Sequence, residues 1–324
     1  METFAYKKAG SLQQALDLLS TNGSQVLAGG SDLLSLLKNN ILTPESLVDV
    51  KGISDLAYIR ESSGLLYIGA TTTLTTLSAD EVIKDHFPII AQALPLIATP
   101  QIRNQATVAG NLCQRPRCWY FRSELYPCFR KNGSTCFAIV GRNSEHAVLG
   151  GAGCFAVHPS DLAAVFVALN AQVVISWKKG TRVVPMEQFF ALPSVNPHAE
   201  NILAAGEMVT EVQVPMPAAG TKGVFLKNRL RGTWDFAATS VAMVAQAQGG
   251  ALQNVRVVLG GVAAVPWRAK EAESALAGKT VTPDSAAAAA KAALRYTRPM
   301  AENGYKIKQA QALIQRAALA LIGS

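Results

Sequence analysis

The feature that most constrains this 324-residue chain is the placement of its cysteines. All five fall within residues 113–154, and the rest of the sequence contains none. Five cysteines are too few for a disulfide-rich scaffold, and an odd number leaves at least one thiol unpaired. The fold must therefore depend on a hydrophobic core, and the clustering indicates that the cysteines act together. They are Cys113, Cys118, Cys128, Cys136 and Cys154.

The composition supplies that core. Hydrophobic residues make up 49% of the chain and charged residues only 16%, which excludes a disordered or fibrous protein. At about 150 residues per domain, the length predicts two domains. No apolar run reaches the roughly 20 residues of a membrane span, and the N-terminus lacks a signal sequence. We therefore expect a cytoplasmic protein, unless a signal-bearing partner carries it to the periplasm.

The order of patterns predicts an α+β chain. Strand-like and helix-like segments alternate at the start, as in β/α units. Residues 80–98 have helical period but contain Pro88 and Pro95, so we expect breaks there. Residues 214–223, VPMPAAGTKG, have the composition of a linker, and strands followed by Ala-rich helices are predicted beyond them. We place a domain boundary near residue 217.

Two Gly-bearing loops have the chemistry of a phosphate cradle. In LAGGSDLL, residues 27–34, glycines precede a predicted helix whose free N–H groups favour an anion. In RNQATVAGNL, residues 103–112, a hydroxyl and an amide flank a flexible backbone. Neither loop is the GxGxxG fingerprint, and either one alone is better explained as an ordinary turn. Together they make dinucleotide binding and ordinary turns equal alternatives, because a dinucleotide has two phosphates to hold.

The cysteine spacing leaves the chemistry of the cluster open. From Cys118 onward the intervals are 10, 8 and 18 positions, without the paired C-x2-C knuckles of most zinc sites. Zinc, an iron–sulfur cluster and plain thiols all remain compatible with this spacing. Residues 112–153 carry an excess of four positive charges, which would offset an anionic cluster or simply form a basic surface. The cations are Arg115, Arg117, Arg122, Arg130, Lys131 and Arg142, set against Glu124 and Glu145.

Several motifs in register carry a resemblance to a known family. LAGGSDLL is followed by IGATTT at Ile68, QIRNQATVAGN at Gln101 and HPSD at His158. GEMVTEVQVP at Gly206 and FLKNRLRGTWDFA at Phe225 extend the match over nearly the whole chain. This order resembles the FAD-binding subunit of the molybdenum hydroxylases. The resemblance implies an α+β fold with a two-part FAD-binding domain of the vanillyl-alcohol-oxidase/PCMH type and a smaller C-terminal α+β domain with an antiparallel sheet.

The resemblance also implies domain limits and roles in flavin binding. Residues 1–217 would bind FAD, with parts at 1–56 and 57–217, and residues 218–324 would form the second domain. Residues 26–34 would wrap the pyrophosphate, and a second loop would contact the flavin. Asp161 would accept hydrogen bonds from the ribityl chain, Met208 or Val209 would pack on the ring, and Lys227 would lie near its polar edge. Without the resemblance, Asp161 is a helix cap and Lys227 a solvated strand residue. The implied residues are Val26, Leu27, Ala28, Gly29, Gly30, Ser31, Asp32, Leu33, Leu34, Thr107, Gly110, Asn111, Asp161, Met208, Val209 and Lys227.

The cysteine-rich segment is similar to an insertion found in some of these flavin subunits. RCWYFRSELYPCFRKNGSTCFA with the later CFAVHPSD resembles the aldehyde oxidoreductase type, which carries a 4Fe-4S cluster. The resemblance implies an insertion at 112–157 and leaves Cys113 as a packed residue. The implied ligands are Cys118, Cys128, Cys136 and Cys154.

The implied function is electron transfer within a larger complex. A large partner subunit would carry the molybdenum cofactor, a small partner would carry 2Fe-2S clusters, and FAD would pass electrons to an external acceptor. We assign no acid/base catalytic residue to this chain, and its substrate class, an aldehyde, follows from the relatives alone. Two alternatives stay open: a stand-alone flavin oxidase, and a zinc-containing nucleic-acid-binding protein suggested by the basic aromatic run RCWYFR.

Overall fold

The computed structural model describes residues 1–323 and begins with a small parallel sheet. Strands β1 (Ala5–Lys8), β2 (Ser24–Leu27) and β3 (Ser46–Asp49) pair in the order β1-β3-β2. Helix α1 (Leu12–Leu19) joins the first two strands, and α2 (Leu33–Lys38) joins the second to the third. Parallel neighbours require such crossovers, so the predicted β/α units are confirmed.

A five-stranded antiparallel sheet forms the middle of the molecule, in the order β4-β5-β8-β6-β7. Its central strand β8 comes last in the sequence. The long segment between β5 and β6 contributes no strand to the sheet. The strands are β4 (Ile59–Ser62), β5 (Leu65–Gly69), β6 (Gln172–Trp177), β7 (Gly180–Pro185) and β8 (Met208–Pro215).

Short helices fill the connections of this sheet. The expected breaks are confirmed: one helix begins at Pro88, and Pro95 lies in a 3-10 turn, because proline cannot donate the backbone bond that would continue a helix. The helices are α3 (Leu74–Ala79), α4 (Glu81–His86), α5 (Pro88–Ala93), α6 (Pro100–Gln105), α7 (Val108–Leu112), α8 (Asp161–Ala168) and α9 (Met186–Phe189).

The C-terminal part is an antiparallel sheet followed by helices, as the sequence predicts. Four strands pair in the order β12-β11-β10-β9, and the three last helices share a hydrophobic core with them. No helix in residues 1–323 is long and apolar enough to cross a membrane. The elements are β9 (Thr221–Asn228), β10 (Thr239–Gln248), β11 (Ala251–Gly260), β12 (Trp267–Arg268), α10 (Lys270–Leu276), α11 (Pro283–Ala293) and α12 (Tyr305–Gly323).

Helix α8 lies between the two antiparallel sheets. Every one of its eight residues is buried, because its sequence, DLAAVFVA, is apolar on all sides after the first position. It packs against α5 and also against β10 and β11, and its side chains share one core with Phe225 and Val258 of the C-terminal sheet. The two sheets are therefore joined through a common core.

The cysteine-rich segment, residues 113–160, is almost entirely irregular. Its single helical element is the 3-10 turn Phe129–Lys131. One side packs on α2, where Phe121 contacts Leu36 in a small buried cluster. The other side is tied to the C-terminal part, because the amide of Asn143 donates to Glu302 at 2.8 Å. Hydrogen bonds and small clusters, rather than secondary structure, fix its shape.

Candidate flavin cleft and cysteine centre

The loop between β2 and α2 faces the end of α6 at very close range. Gly30 has a φ of +71°, which favours glycine. A Cβ added at Gly29 would lie 2.0 Å from the carbonyl oxygen of Gln105, so only glycine fits there. The two glycines therefore let this loop approach the helix that leads into the second Gly-bearing loop.

A cleft with a cavity volume of about 740 Å³ opens between the two loops. That volume lies within the range of pockets that enclose small-molecule cofactors. Of the residues that the sequence assigns to flavin binding, the cleft brings together all except Leu27 and Leu34. Leu27 is buried in a core cluster instead, and Leu34 is exposed. The lining residues among them are Val26, Ala28, Gly29, Gly30, Ser31, Asp32, Leu33, Thr107, Gly110, Asn111, Asp161, Met208, Val209 and Lys227.

Some polar side chains of the second Gly-bearing loop form hydrogen bonds within the protein. Thr107 caps α7, and its hydroxyl accepts a hydrogen bond from the amide of Gly110 at 3.1 Å. The side-chain carbonyl of Asn111 accepts a hydrogen bond from Ser160 Oγ at 2.6 Å. That bond fixes the start of α8 against α7, and with it the position of Asp161 at the cleft.

Asp161 and Lys227 form a buried ion pair at the cleft. Nζ of Lys227 lies 2.7 Å from Oδ2 of Asp161, and the side chains are 1% and 6% exposed respectively. The same ammonium donates to the carbonyl of Leu96 at 2.9 Å. Burial raises the pKa of Asp161, and the Lys227 ammonium offsets part of that rise. Asp161 is therefore more than a helix cap, and Lys227 is not a solvated strand residue.

Thr71 is a cleft residue that the sequence analysis does not assign. Its Oγ1 is buried and has no hydrogen-bond partner among the described residues, and Thr71 lines the cleft. A buried hydroxyl without a partner is costly, so this atom is suited to bind a polar group of a ligand. The motif IGATTT contains Thr71, and that was the signal available in the sequence.

Asp32 anchors the cysteine-rich segment to the first Gly-bearing loop. Its Oδ1 lies 2.8 Å from Nη1 of Arg117 and 2.6 Å from Nη2 of Arg122. Its Oδ2 accepts a hydrogen bond from the amide of Arg115 at 2.7 Å. Both carboxylate oxygens are thus engaged within the chain. The structure shows Asp32 as an anchor beside the cleft, a role that the sequence analysis missed.

The four cysteines assigned as ligands lie in the interior of the segment, and three of them share two small clusters. All are free thiols; Cys128, Cys136 and Cys154 are buried, and Cys118 is partly buried. Cys118 packs in the small clusters that contain Cys128 and Cys136. In residues 1–323 no three His, Cys, Asp or Glu side chains are drawn together around the position of a single ion. Cys113 packs against the main core and also lines the cleft, as expected for a packed residue.

Backbone amides point at the cysteine sulfurs. The amides of Tyr120 and Phe121 favour the thiolate of Cys118, although burial raises its pKa to about 12. The amides of Ala138 and Phe155 act in the same way on Cys136, whose pKa burial also raises. The amide of Ala156 donates to Cys154 Sγ at 3.4 Å. The segment thus supplies hydrogen bonds to thiolates that its own burial disfavours.

Two side chains that the sequence analysis does not single out as site residues contact the sulfurs or their neighbours. Nε2 of His146 lies 3.3 Å from Cys118 Sγ, and burial lowers the pKa of this histidine to about 4, so its ring is neutral. Glu200 binds Arg115 and Arg130, at 2.5 and 2.6 Å. Neither contact leaves a local pattern, because the partners lie 28 to 85 positions apart.

Comparison with known proteins identifies the family of this chain. Residues 2–217 match the family described as the FAD binding domain in molybdopterin dehydrogenase, and residues 225–321 match the CO dehydrogenase flavoprotein C-terminal domain. The chain is 37% identical to the aldehyde oxidoreductase FAD-binding subunit PaoB of Escherichia coli K12, over 95% of this chain and 94% of that one. It is 29% identical to the carbon monoxide dehydrogenase medium chain of Hydrogenophaga pseudoflava, over 97% of this chain and 95% of that one.

Solved structures of related oxidoreductases have the same fold. A carbon monoxide dehydrogenase chain from Hydrogenophaga pseudoflava superposes with a TM-score of 0.79 at 29% identity, covering 99% of both chains. Quinoline 2-oxidoreductase from Pseudomonas putida 86 gives 0.78 at 26% identity, covering 99% of this chain and 97% of that one. The fold and its cleft therefore define a FAD-binding subunit of an oxidoreductase. The chain belongs to the family of FAD-binding medium subunits of the molybdenum hydroxylases.

Proposed function

We propose that the chain is the electron-transfer flavoprotein subunit of a heterotrimeric aldehyde oxidoreductase, and that it holds both FAD and a 4Fe-4S cluster. The observation that carries the proposal is the pairing of two features in one chain: a cleft lined by the expected flavin residues and, beside it, a segment with four free cysteines, of which Cys118 packs with both Cys128 and Cys136. Asp32 and its arginines join the two sites directly.

The cleft residues fit FAD. Gly29 and Gly30 have no side chains that would block a ligand at the first loop. The buried Oγ1 of Thr71 has no partner among the described residues and could hydrogen-bond to a polar group of the cofactor. When bound, the flavin would accept electrons one or two at a time and deliver them to an acceptor. Lys227, charged and buried, would stabilise negative charge that develops on the ring, while Asp161 holds the ammonium in place.

The thiols fit an iron–sulfur cluster. Cys154 receives a backbone hydrogen bond, and backbone amides favour the thiolates of Cys118 and Cys136; hydrogen bonds to sulfur are one means by which proteins set the potential of these clusters. Nη2 of Arg130 is buried and has no hydrogen-bond partner in the described part of the chain, although Nε of the same residue contacts Cys154. An unpaired guanidinium nitrogen beside a thiol is suited to an anionic group there. Bound iron would supply a one-electron carrier.

Electrons would reach this chain from partners. The chain would associate with a large subunit that carries the molybdenum cofactor and oxidises the aldehyde, and with a small 2Fe-2S subunit. The aldehyde class is supported by the similarity to the aldehyde oxidoreductase subunit over nearly its full length. Aldehyde-dependent reduction of a dye by the co-expressed trimer tests this. Flavin-dependent turnover by the isolated chain would instead favour a stand-alone oxidase.

Metal and flavin analysis of the purified chain tests the two cofactors. We expect one FAD and about four iron atoms per chain, the latter by the definition of the cluster. Cys128→Ser should lose the iron, and the matched control Cys113→Ser should keep it, because Cys113 packs in the main core. Zinc in place of iron, or iron unchanged in Cys128→Ser, would contradict the cluster. Absence of flavin would contradict the cleft assignment.

A further inference from the structure

One cation in the cysteine-rich segment differs from the others. Arg115, Arg117 and Arg122 direct their charges to Asp32 or Glu200, and Arg142 pairs with Glu302 on the surface. Only Arg130, among the hydrogen bonds of the described residues, donates a side-chain N–H of a cation to a cysteine: its Nε lies 3.2 Å from Cys154 Sγ. Lys131 donates to the carbonyl oxygen of Ser123. Of the six cations counted in the sequence, Arg130 is therefore the one whose side chain contacts a cysteine sulfur among the described residues.

The surroundings of Arg130 make that charge effective. Its side chain is 1% exposed, so water and salt screen it little. Its Nη1 binds Glu200 Oε1 at 2.6 Å, and the Glu200 side chain is 3% exposed. Arg115 also binds Glu200, at 2.5 Å. A guanidinium remains protonated in proteins, so the cysteines face a fixed positive charge. Burial raises the pKa of Glu200, and the ion pairs with Arg115 and Arg130 oppose that rise and favour its carboxylate form.

The geometry points to Arg130 and Glu200 as a pair of positioning residues that set the reduction potential of the proposed cluster in opposite directions. This inference rests on the proposed 4Fe-4S site. Reduction adds one electron, and hence one negative charge, to a centre that four thiolates already make anionic. A nearby cation stabilises the reduced form more than the oxidised form, and a nearby carboxylate does the reverse. Arg130 therefore raises the potential, and Glu200 moderates that rise.

The test is a potentiometric titration of the purified trimer, followed by the electron paramagnetic resonance signal of the reduced cluster. Arg130→Gln should lower the midpoint potential, and Glu200→Gln should raise it. We expect each substitution to change the equilibrium constant for reduction by tenfold or more, which is about 59 mV for a one-electron couple. Arg142→Gln is the control: it removes the charge of another cation of the segment, with a side chain that is 78% exposed, and should leave the potential unchanged.

Opposite shifts in the two variants support the inference. If the two residues only held the segment in shape, the direction of the potential shift would not depend on the sign of the charge removed. Unchanged potentials in iron-loaded variants, or shifts in the same direction, overturn it. If Arg130→Gln loses its iron, Glu200→Gln decides alone: an upward shift supports the inference and no shift overturns it. A wild-type trimer without the cluster signal would instead refute the proposed function, so the two failures are distinguishable.

Discussion

The buried pair of Asp161 and Lys227 should behave as one energetic unit. With 2.7 Å between the charged atoms and at most 6% of either side chain exposed, removal of one partner leaves the other charge buried and uncompensated. Such removal costs about 3–5 kcal/mol. We therefore expect Asp161→Asn and Lys227→Met each to lower the free energy of unfolding by that amount. The double variant should lose less than the sum by about 3 kcal/mol, the upper range for coupled neighbours.

Urea unfolding followed by circular dichroism measures these values. Flavin-free protein should be used throughout, because bound flavin would add its own stabilisation to each variant. Lys227→Met and the double variant both lose the hydrogen bond from Lys227 to Leu96 O. That loss therefore cancels when the double-mutant cycle is evaluated. Single substitutions that cost under 1 kcal/mol, or a double variant equal to the sum, would refute the reasoning.

Three further substitutions probe the loops and the interior. Gly29→Ala should weaken flavin binding at least tenfold in a fluorescence titration, since its Cβ meets backbone, whereas Gly232→Ala, in open space, should not. Asp32→Asn should speed proteolysis within the cysteine-rich segment, residues 113–160, seen by gel electrophoresis, because two arginines lose their partner; unchanged cleavage would contradict the role of Asp32 as an anchor. Burial lowers the pKa of Lys306 to about 7, so the unfolded chain binds more protons between pH 7 and 10. Stability should then rise with pH by up to about 1.4 kcal/mol per unit, and Lys306→Met should flatten that slope.

The parts predictable from sequence are those with a local signature. Pro88 sets a helix start by its ring geometry, and the Gly29-Gly30 turn is visible because only glycine satisfies both a positive φ and a close backbone approach. Apolar and β-branched runs indicate the longer strands of both antiparallel sheets, such as β6, β8 and β10. The residues assigned to flavin binding follow from motifs in register, and the cleft gathers nearly all of them.

The parts that could not be predicted are contacts between distant charges. Glu200 meets Arg130 across 70 positions, and Asp32 meets Arg122 across 90. Nothing in the sequence around Glu200 distinguishes it from an ordinary surface residue, and the motif that contains Asp32 implies a flavin contact and not an arginine partner. The resemblance assigns Leu27 and Leu34 to the cofactor within an unbroken stretch of sequence. Leu27 in β2 is instead buried in a core cluster, and Leu34 in α2 is exposed to solvent.

Helix α8 has a consequence for how the protein can be handled. Because its apolar surface is covered from both sides, a fragment that ends near residue 217 would leave Phe166 and its neighbours without the strands that cover them. An apolar patch of that kind promotes self-association. The linker between the sheets is therefore a poor place to cut the gene: we expect the N-terminal fragment to aggregate on expression, while co-expression with residues 218–324 keeps it in solution.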